Sequence, residues 1–235
     1  RHDALYASRR SPVLARNVVA TSQPLAVQAG LSMLHRGGNA VDAALAAAIA
    51  LVVVEPTGNG LGSDAFAILW DGSALHGLNA SGRSPAGWTP ERFAGCARMD
   101  ERGWESVTVP GAVSAWVSLS ERFGRLDFST LFEPAVRYAE HGFLVSPIIA
   151  ELWARGASLL QNQPGFAAHF MPHGAAPGAG TLYRSPALAR SLRLIAESRG
   201  EAFYRGELAG RIASFAKEHG AALGEDDLAG HENDW

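Results

Sequence analysis

Hydrophobic residues in the first part of the chain form a run typical of a strand, followed by runs typical of helices. Asn17–Ser22 is a short, mostly apolar run and is predicted to be a buried strand. Pro24 suits the first turn of a helix, and that helix is predicted to end at Gly37-Gly38. This opening therefore predicts a strand followed closely by a helix.

A second helix is predicted directly afterwards, because Asn39 can cap it and Asp42 stands in its first turn. Its residues, Ala40–Val54, are almost all apolar, which is typical of a helix buried on every side. The helix is expected to end at Glu55-Pro56, and a glycine-rich loop follows. The pattern thus places a buried helix immediately before a flexible loop.

Two strands are predicted next, at Phe66–Trp70 and Ala74–Leu78. Asp71-Gly72 lies between them and is a hairpin turn signal. Asn79–Gly87 is expected to be a polar turn region.

From Ala112 onward the pattern becomes helical. Ser146 and Ser185 each precede a proline and are predicted to cap helices. Residues Gln161–Gly180 are expected to form a long loop. Helices are predicted near Ala112–Phe123, Pro134–His141, Pro147–Leu160, Pro186–Glu197 and Glu207–His219. The whole of 1–235 is expected to be a single domain, with strands and buried helices over about 17–110 and a helical half over about 111–235.

Composition and charge narrow the functional classes. The chain is 47% hydrophobic and 18% charged, with a formal net charge of −3, so it is expected to be globular rather than disordered. The arginines are scattered and form no basic stripe, which argues against a nucleic-acid partner. The run at 40–54 is too short for a membrane span, and Arg1-His2-Asp3 opens onto no apolar signal segment. The compartment, cytoplasmic or periplasmic, stays open.

Several residues suggest chemistry only weakly. Cys96 is the single cysteine and has no neighbouring base, so a nucleophilic role is disfavoured. His169 and His173 could share a metal on a helix, but Pro172 interrupts them and no third ligand is near. The glycines of 58–62 follow a helix and precede a strand, the reverse of a phosphate-binding loop. The glycines are more simply explained as a close backbone approach, and the floor of a substrate pocket is one place for it.

Two further charged features have structural and functional interpretations. Asp226-Asp227 lie ahead of Leu228 and are better explained as a helix start than as a catalytic pair. Arg83 follows the second hairpin strand, and its planar guanidinium could hold a carboxylate bidentately. The position of Arg83 by itself is also compatible with an ordinary surface ion pair.

In combination, these segments resemble the gamma-glutamyltransferase (gamma-glutamyltranspeptidase) family from about Asn17 to Trp235. The resemblance is closer to its acylase- and amidohydrolase-like members than to its true glutamyl enzymes. The segments in family order are Val19–Ala26, Gly37–Ala44, Val54–Pro56, Val109–Val113, Glu133–Phe143, Ala202–Glu207 and Asp227–Ala229.

The resemblance implies an α+β fold, the N-terminal-nucleophile hydrolase αββα sandwich, incomplete in this chain. In that family a proenzyme cleaves itself, and the new N-terminal Thr of the small subunit attacks an amide to form an acyl-enzyme. The Thr-bearing segment is absent here, so the chain resembles the N-terminal part of a large subunit with no catalytic residue of its own. The resemblance implies a small-subunit partner, no cofactor and no metal.

The family's glutamate-binding Arg is not at its usual place. Aligning Leu78 and Pro85 with the family motif puts Ser81 at that position, and Arg83 lies about 7 Å farther along an extended chain. The resemblance therefore favours an amidohydrolase or acylase acting on a small amide whose acyl part carries a carboxylate. Arg83, Ser81, Asn79 and Gly60 are the expected substrate-binding residues.

Two alternatives stay open. One is a true gamma-glutamyl transpeptidase or hydrolase that acts on glutathione-like compounds. The other is a non-catalytic structural or binding fragment, against which the buried helix at 40–54 argues, because it needs packing layers on both sides.

Overall fold

The computed structural model describes residues 12–235. The N-terminal residues considered for a secretory signal lie outside that range. The predicted strand at 17–22 is not formed: these residues have no regular structure, and Val18 is 57% exposed. A strand needs a neighbour for its backbone N–H and C=O groups, and within 12–235 none pairs with this segment.

The first two helices begin where local signals place them. Helix α1 is Pro24–His35, with Pro24 in its first turn, and helix α2 is Ala40–Val54. The Asn39 side chain accepts hydrogen bonds from the backbone N–H groups of Val41 at 2.9 Å and Asp42 at 3.1 Å. Asp42 in turn accepts from the N–H of Asn39 at 2.8 Å. The predicted cap is confirmed and is a reciprocal capping box.

Helix α2 is the centre of the fold. Leu45, Ile49 and Val53 are among its many buried residues, and its neighbours are α1 and a later helix, α4, at Phe128–His141. Burial on nearly every side follows from its apolar sequence, because hydrophobic side chains leave water wherever a neighbour can cover them. This helix fixes where the following loop and hairpin begin.

The predicted hairpin is confirmed as strands β1, Ala65–Trp70, and β2, Leu75–Ala80, joined by a turn at Asp71-Gly72. They are antiparallel, with Phe66 opposite Asn79 and Trp70 opposite Leu75. Leu78 and Ala80 are buried on one face. The other face is largely exposed and apolar, and we call Phe66, Ile68, Trp70 and Leu75 the outer hairpin face.

The second half is mainly helical. Two very short strands, β3 (Phe143–Leu144) and β4 (Leu182–Tyr183), pair antiparallel within it. The remaining elements are α3 (Ala112–Phe123), β3 (Phe143–Leu144), α5 (Pro147–Leu160), α6 (Phe166–Phe170), β4 (Leu182–Tyr183), α7 (Pro186–Ser198), α8 (Glu201–Tyr204), α9 (Glu207–Glu218) and α10 (Glu225–Ala229).

Three predictions for this half need correction. Helix α4 begins before Pro134 rather than at it, because burial of Phe128, Leu131 and Phe132 outweighs the backbone hydrogen bond that an interior proline removes. The expected loop at 161–180 contains α6 and a 3-10 turn. Ser185 forms no side-chain cap, and its backbone N–H donates to the carbonyl of Ala139 at 2.8 Å.

One principal hydrophobic core draws on both halves of the chain, from Ala26 in α1 to Leu208 in α9. A smaller core contains Val109, Ala209, Ala216, Leu223 and Leu228. Val109 therefore anchors the segment that leads into α3, and this segment lies against the end of β2.

Candidate substrate-binding site

The end of β2 carries two of the predicted site residues. The Asn79 carboxamide oxygen accepts hydrogen bonds from the backbone N–H of Ser81 at 2.9 Å and from its hydroxyl at 2.8 Å. Such a side-chain turn closes the strand and stabilises the change of direction. The two polar side chains bind each other, and both residues are exposed.

The backbone holds Arg83 in place while its side chain is exposed to solvent. The Arg83 carbonyl accepts from the N–H of Val109 at 3.0 Å, and the N–H of Gly82 donates to the Asp64 carboxylate at 3.3 Å. Within residues 12–235, no carboxylate forms an ion pair with the Arg83 guanidinium. A fixed backbone with an uncommitted guanidinium is suited to bind an anion from solution.

Gly60 lies in a loop that packs on the start of α3. Its N–H donates to the Ser63 hydroxyl at 3.0 Å. The Ser63 carbonyl accepts from the N–H groups of Gly111 at 3.1 Å and Ala112 at 2.8 Å. A Cβ on Gly60 would have only ordinary contacts, the nearest at 3.8 Å, so no close approach requires glycine there.

The close backbone approaches occur instead at Gly82 and Gly111. A Cβ on Gly82 would lie 1.4 Å from the Val109 carbonyl oxygen, and one on Gly111 would lie 1.8 Å from that of Ala80. No side chain fits in those spaces. These glycines let the loop after β2 pack directly on the segment that enters α3, and sequence reasoning missed their role.

The structure also brings the last described residues to this site. Asn79 exchanges two backbone hydrogen bonds with Asp234, at 2.8 and 2.9 Å, in an antiparallel bridge. His231 stacks on Tyr204, with ring centroids 5.4 Å apart at 15°. A cavity of about 370 Å³ opens beside His231, Ser114 and Tyr204. The site thus gathers residues that are far apart in the sequence.

His231 is half-buried beside Tyr204. Burial lowers its pKa below the ordinary value, the Arg83 charge lowers it further, and Asn233 and Asp64 oppose both effects. Its Nε2 lies 2.8 Å from the Ser114 hydroxyl. That hydroxyl has two acceptors for its one proton, the Gly111 carbonyl at 2.8 Å and the Asn233 carboxamide oxygen at 2.7 Å. Because a hydroxyl has one proton, we assign the Nε2–H of His231 as the donor to Ser114. The Ser114 hydroxyl is therefore committed to these partners.

The other candidate residues do not join this site. Asp227 accepts from the N–H of Gly224 at 2.8 Å at the start of α10, which confirms the helix-start interpretation. His169, His173 and Cys96 are exposed. Across residues 12–235, no group of three or more potential ligands could hold a metal ion, and no helix there is long and apolar enough to cross a membrane.

The sequence over residues 26–235 matches the family model described as gamma-glutamyltranspeptidase, and the chain belongs to that family. It is 37% identical over 229 residues to the glutathione hydrolase-like YwrD proenzyme of Bacillus subtilis, a match covering 96% of this chain and 44% of that protein. It is also 37% identical over 215 residues to the oxamate amidohydrolase proenzyme of Klebsiella pneumoniae, covering 88% and 40%. The chain thus spans less than half the length of these curated relatives.

A solved structure extends the comparison to the fold. The crystal structure of cephalosporin acylase from Bacillus halodurans superposes with a TM-score of 0.87 at 45% identity, covering 98% of this chain and 46% of that one. The α+β N-terminal-nucleophile hydrolase fold implied by the resemblance is confirmed, and this chain represents part of it. The relatives include amidohydrolases and acylases, in keeping with the resemblance.

Proposed function

We propose that this chain is the large-subunit part of a threonine-dependent N-terminal-nucleophile amidohydrolase or acylase. It cleaves an amide through an acyl-enzyme, and the nucleophile belongs to a separate small subunit. The observation that carries the proposal is that no carboxylate of residues 12–235 pairs with the Arg83 guanidinium, while hydrogen bonds hold the backbone of its loop. The relatives of the chain include amidohydrolases and acylases. No residue of this chain acts as the nucleophile.

The substrate is a small amide whose acyl part carries a carboxylate, and Arg83 binds that carboxylate. Ser81 and Asn79 support the loop through their mutual hydrogen bonds, and Gly60 belongs to the loop that adjoins it. Ser81 is a poor substitute for an Arg in binding a carboxylate. A hydroxyl donates one neutral hydrogen bond, whereas a guanidinium donates two charge-assisted hydrogen bonds. This favours a carboxylate placed differently from that of a gamma-glutamyl group.

The small subunit is the partner of the outer hairpin face. The side chains of Phe66, Ile68 and Trp70 are 70%, 81% and 63% exposed, and they lie next to one another on one side of a two-stranded sheet. Contiguous exposed apolar patches of this kind usually mark an interface. A sheet of the small subunit stacked on this face would complete the αββα sandwich that the resemblance implies. The shared core also supports the proposal of a single domain.

The substrate proposal is tested with Arg83→Ala in the full-length, matured protein. Two anilides of equal acyl length are compared, glutaryl-4-nitroanilide and the uncharged pentanoyl-4-nitroanilide. Losing a charge-assisted hydrogen bond should raise the KM for the glutaryl substrate about ten- to hundredfold. Both kcat values and the KM for the pentanoyl substrate should change little.

Arg98→Ala is the matched control, because Arg98 is also exposed and forms no ion pair within residues 12–235. It should leave all four kinetic constants unchanged. An unchanged KM for the glutaryl substrate in Arg83→Ala would contradict the role given to Arg83. Faster turnover of a gamma-glutamyl anilide when a dipeptide acceptor is added would favour a transpeptidase instead.

The subunit proposal is tested by intact mass under denaturing conditions, with N-terminal sequencing of each species. A second chain beginning with Thr is expected. A single uncleaved species that hydrolyses no amide would contradict the catalytic proposal and favour a binding module.

A further inference from the structure

A cavity of about 860 Å³ lies between the glycine-rich loop and the helices of the second half. Its wall includes aromatic rings from four parts of the chain: Trp104, Phe166, Phe170, Phe203 and Phe215. The volume is in the range of small-molecule binding sites, which are mostly apolar and carry a few polar groups. We call it the aromatic cavity.

The aromatic wall is built from packed ring pairs. The rings of Trp104 and Phe215 have centroids 6.0 Å apart at 55°, and those of Phe166 and Phe170 are 5.1 Å apart at 35°. Phe215 is nevertheless 38% exposed. A flat apolar ligand would cover this ring surface, and aromatic contacts of this kind add to the gain from area burial.

The charged side chains of the wall are both positive. Arg102 and Arg211 line the cavity, and none of the carboxylates within residues 12–235 does. Their ion pairs are long and exposed: Arg211 lies 3.5 Å from Glu207, and Arg102 lies 3.8 Å from Glu101. Surface pairs of this kind contribute little, so both guanidinium groups can turn toward an anion at small cost. The charge of the cavity therefore complements a negative ligand.

The cavity borders the backbone of the proposed substrate site but does not include its residues. Leu61 and Gly62 of the glycine-rich loop line the cavity, and so do Val107 and Pro110. None of the four residues of that site, Gly60, Asn79, Ser81 and Arg83, lines the cavity. An inference about this cavity therefore does not depend on the role of Arg83.

We propose that the aromatic cavity binds a small aromatic carboxylate. The ring of the ligand packs against Phe215 and its aromatic neighbours, and the carboxylate receives hydrogen bonds from Arg211 and Arg102. Neither the aromatic rings nor the two arginines alone define this ligand. The combination favours a molecule that is flat and apolar over most of its surface and anionic at one end.

The test compares binding of 1-naphthylacetate with that of its neutral counterpart 1-naphthylacetamide, by titration calorimetry on the full-length protein. Both should bind saturably, and the carboxylate should bind about tenfold more tightly, because charge-assisted bonds are the stronger ones. Arg211→Gln should remove most of that difference by weakening only the carboxylate. Phe215→Ala should weaken both ligands, and its partial exposure makes the truncation compatible with folding.

Arg155→Gln is the matched control, since Arg155 is 69% exposed and pairs with Glu151 one turn away, as Arg211, 71% exposed, pairs with Glu207. It should leave both affinities unchanged, and so should Arg83→Ala. The proposal is overturned if neither compound binds saturably. It is also overturned if Arg211→Gln weakens both compounds equally, or if Arg83→Ala abolishes binding of the carboxylate.

Discussion

Replacing Gly82 by Ala tests the close approach on which the candidate site depends. The added Cβ would lie 1.4 Å from the carbonyl oxygen of Val109 and 2.4 Å from its carbonyl carbon. Side chains essentially never approach within 3.0 Å of such an atom. The loop after β2 must then move away from Val109 by roughly 1.6 Å, because neither backbone segment is compressible.

The cost follows from what that movement breaks. The bond from the Val109 N–H to the Arg83 carbonyl, now 3.0 Å, is lost, and the one from the Gly82 N–H to Asp64 is lost or strained. Two lost hydrogen bonds cost about 1 kcal/mol each. Forcing extra volume into a packed contact adds about 1–3 kcal/mol. We expect the free energy of unfolding to fall by about 3–5 kcal/mol.

Urea unfolding of the full-length protein, followed by circular dichroism, measures this change. Gly77→Ala is the control, because Gly77 lies in the same hairpin and a Cβ there has no neighbour within 4 Å. It should change the free energy of unfolding by less than about 1 kcal/mol. Equal midpoints for the two variants would refute the reasoning, since they would show that Gly82 is no more constrained than Gly77.

Substitutions at Asp42, at His231 and on the outer hairpin face test three separate features. Asp42→Ala should lower the free energy of unfolding by about 3 kcal/mol or more in the same urea assay, since the buried carboxylate accepts several backbone N–H bonds. Asp127→Ala is the control, because Asp127 is exposed and its side chain makes no capping bond at α4. An equal decrease in the free energy of unfolding in both variants would contradict the role given to Asp42. For His231, whose pKa is lowered by burial, unfolding takes up a proton as the pH falls below about 6.5. The free energy of unfolding should therefore decrease as the pH falls below that value, and the decrease should be smaller in His231→Gln. Urea titrations at several pH values measure this. An equal dependence on pH in the two proteins would contradict the role of His231. Ile68→Ser and Trp70→Ser should each weaken subunit association about tenfold or more, since burying such a side chain contributes about 1.5–3 kcal/mol. Analytical ultracentrifugation of the matured protein measures this, and unchanged association would exclude the outer hairpin face from the interface.

Local signals predicted the first helices and the hairpin. Pro24, the Asn39–Asp42 capping box and Asp71-Gly72 each act on residues close to them in the sequence, so their effect does not depend on tertiary packing. The strand expected at 17–22 failed for the opposite reason. An apolar extended segment becomes a strand only when another strand satisfies its backbone, and such a partner is supplied by tertiary structure.

The same distinction applies to the site. Sequence reasoning selected Asn79, Ser81 and Arg83 because they follow a strand and occupy the place of a family motif. It could not select His231, which lies far along the chain and reaches Ser114 only when the end of the chain folds back onto β2. It also attributed a close approach to the glycine-rich loop, whereas the structure has it at Gly82 and Gly111.

The sequence by itself determined the starts of the first two helices, the hairpin turn and the family, because each rests on a few residues close together in the sequence. Tertiary structure alone decided that no carboxylate of residues 12–235 pairs with the Arg83 guanidinium, and that rings from distant helices and loops line the aromatic cavity. Both depend on which surfaces meet after folding. Which surfaces come into contact is determined by the sum of many weak packing interactions rather than by any local signal.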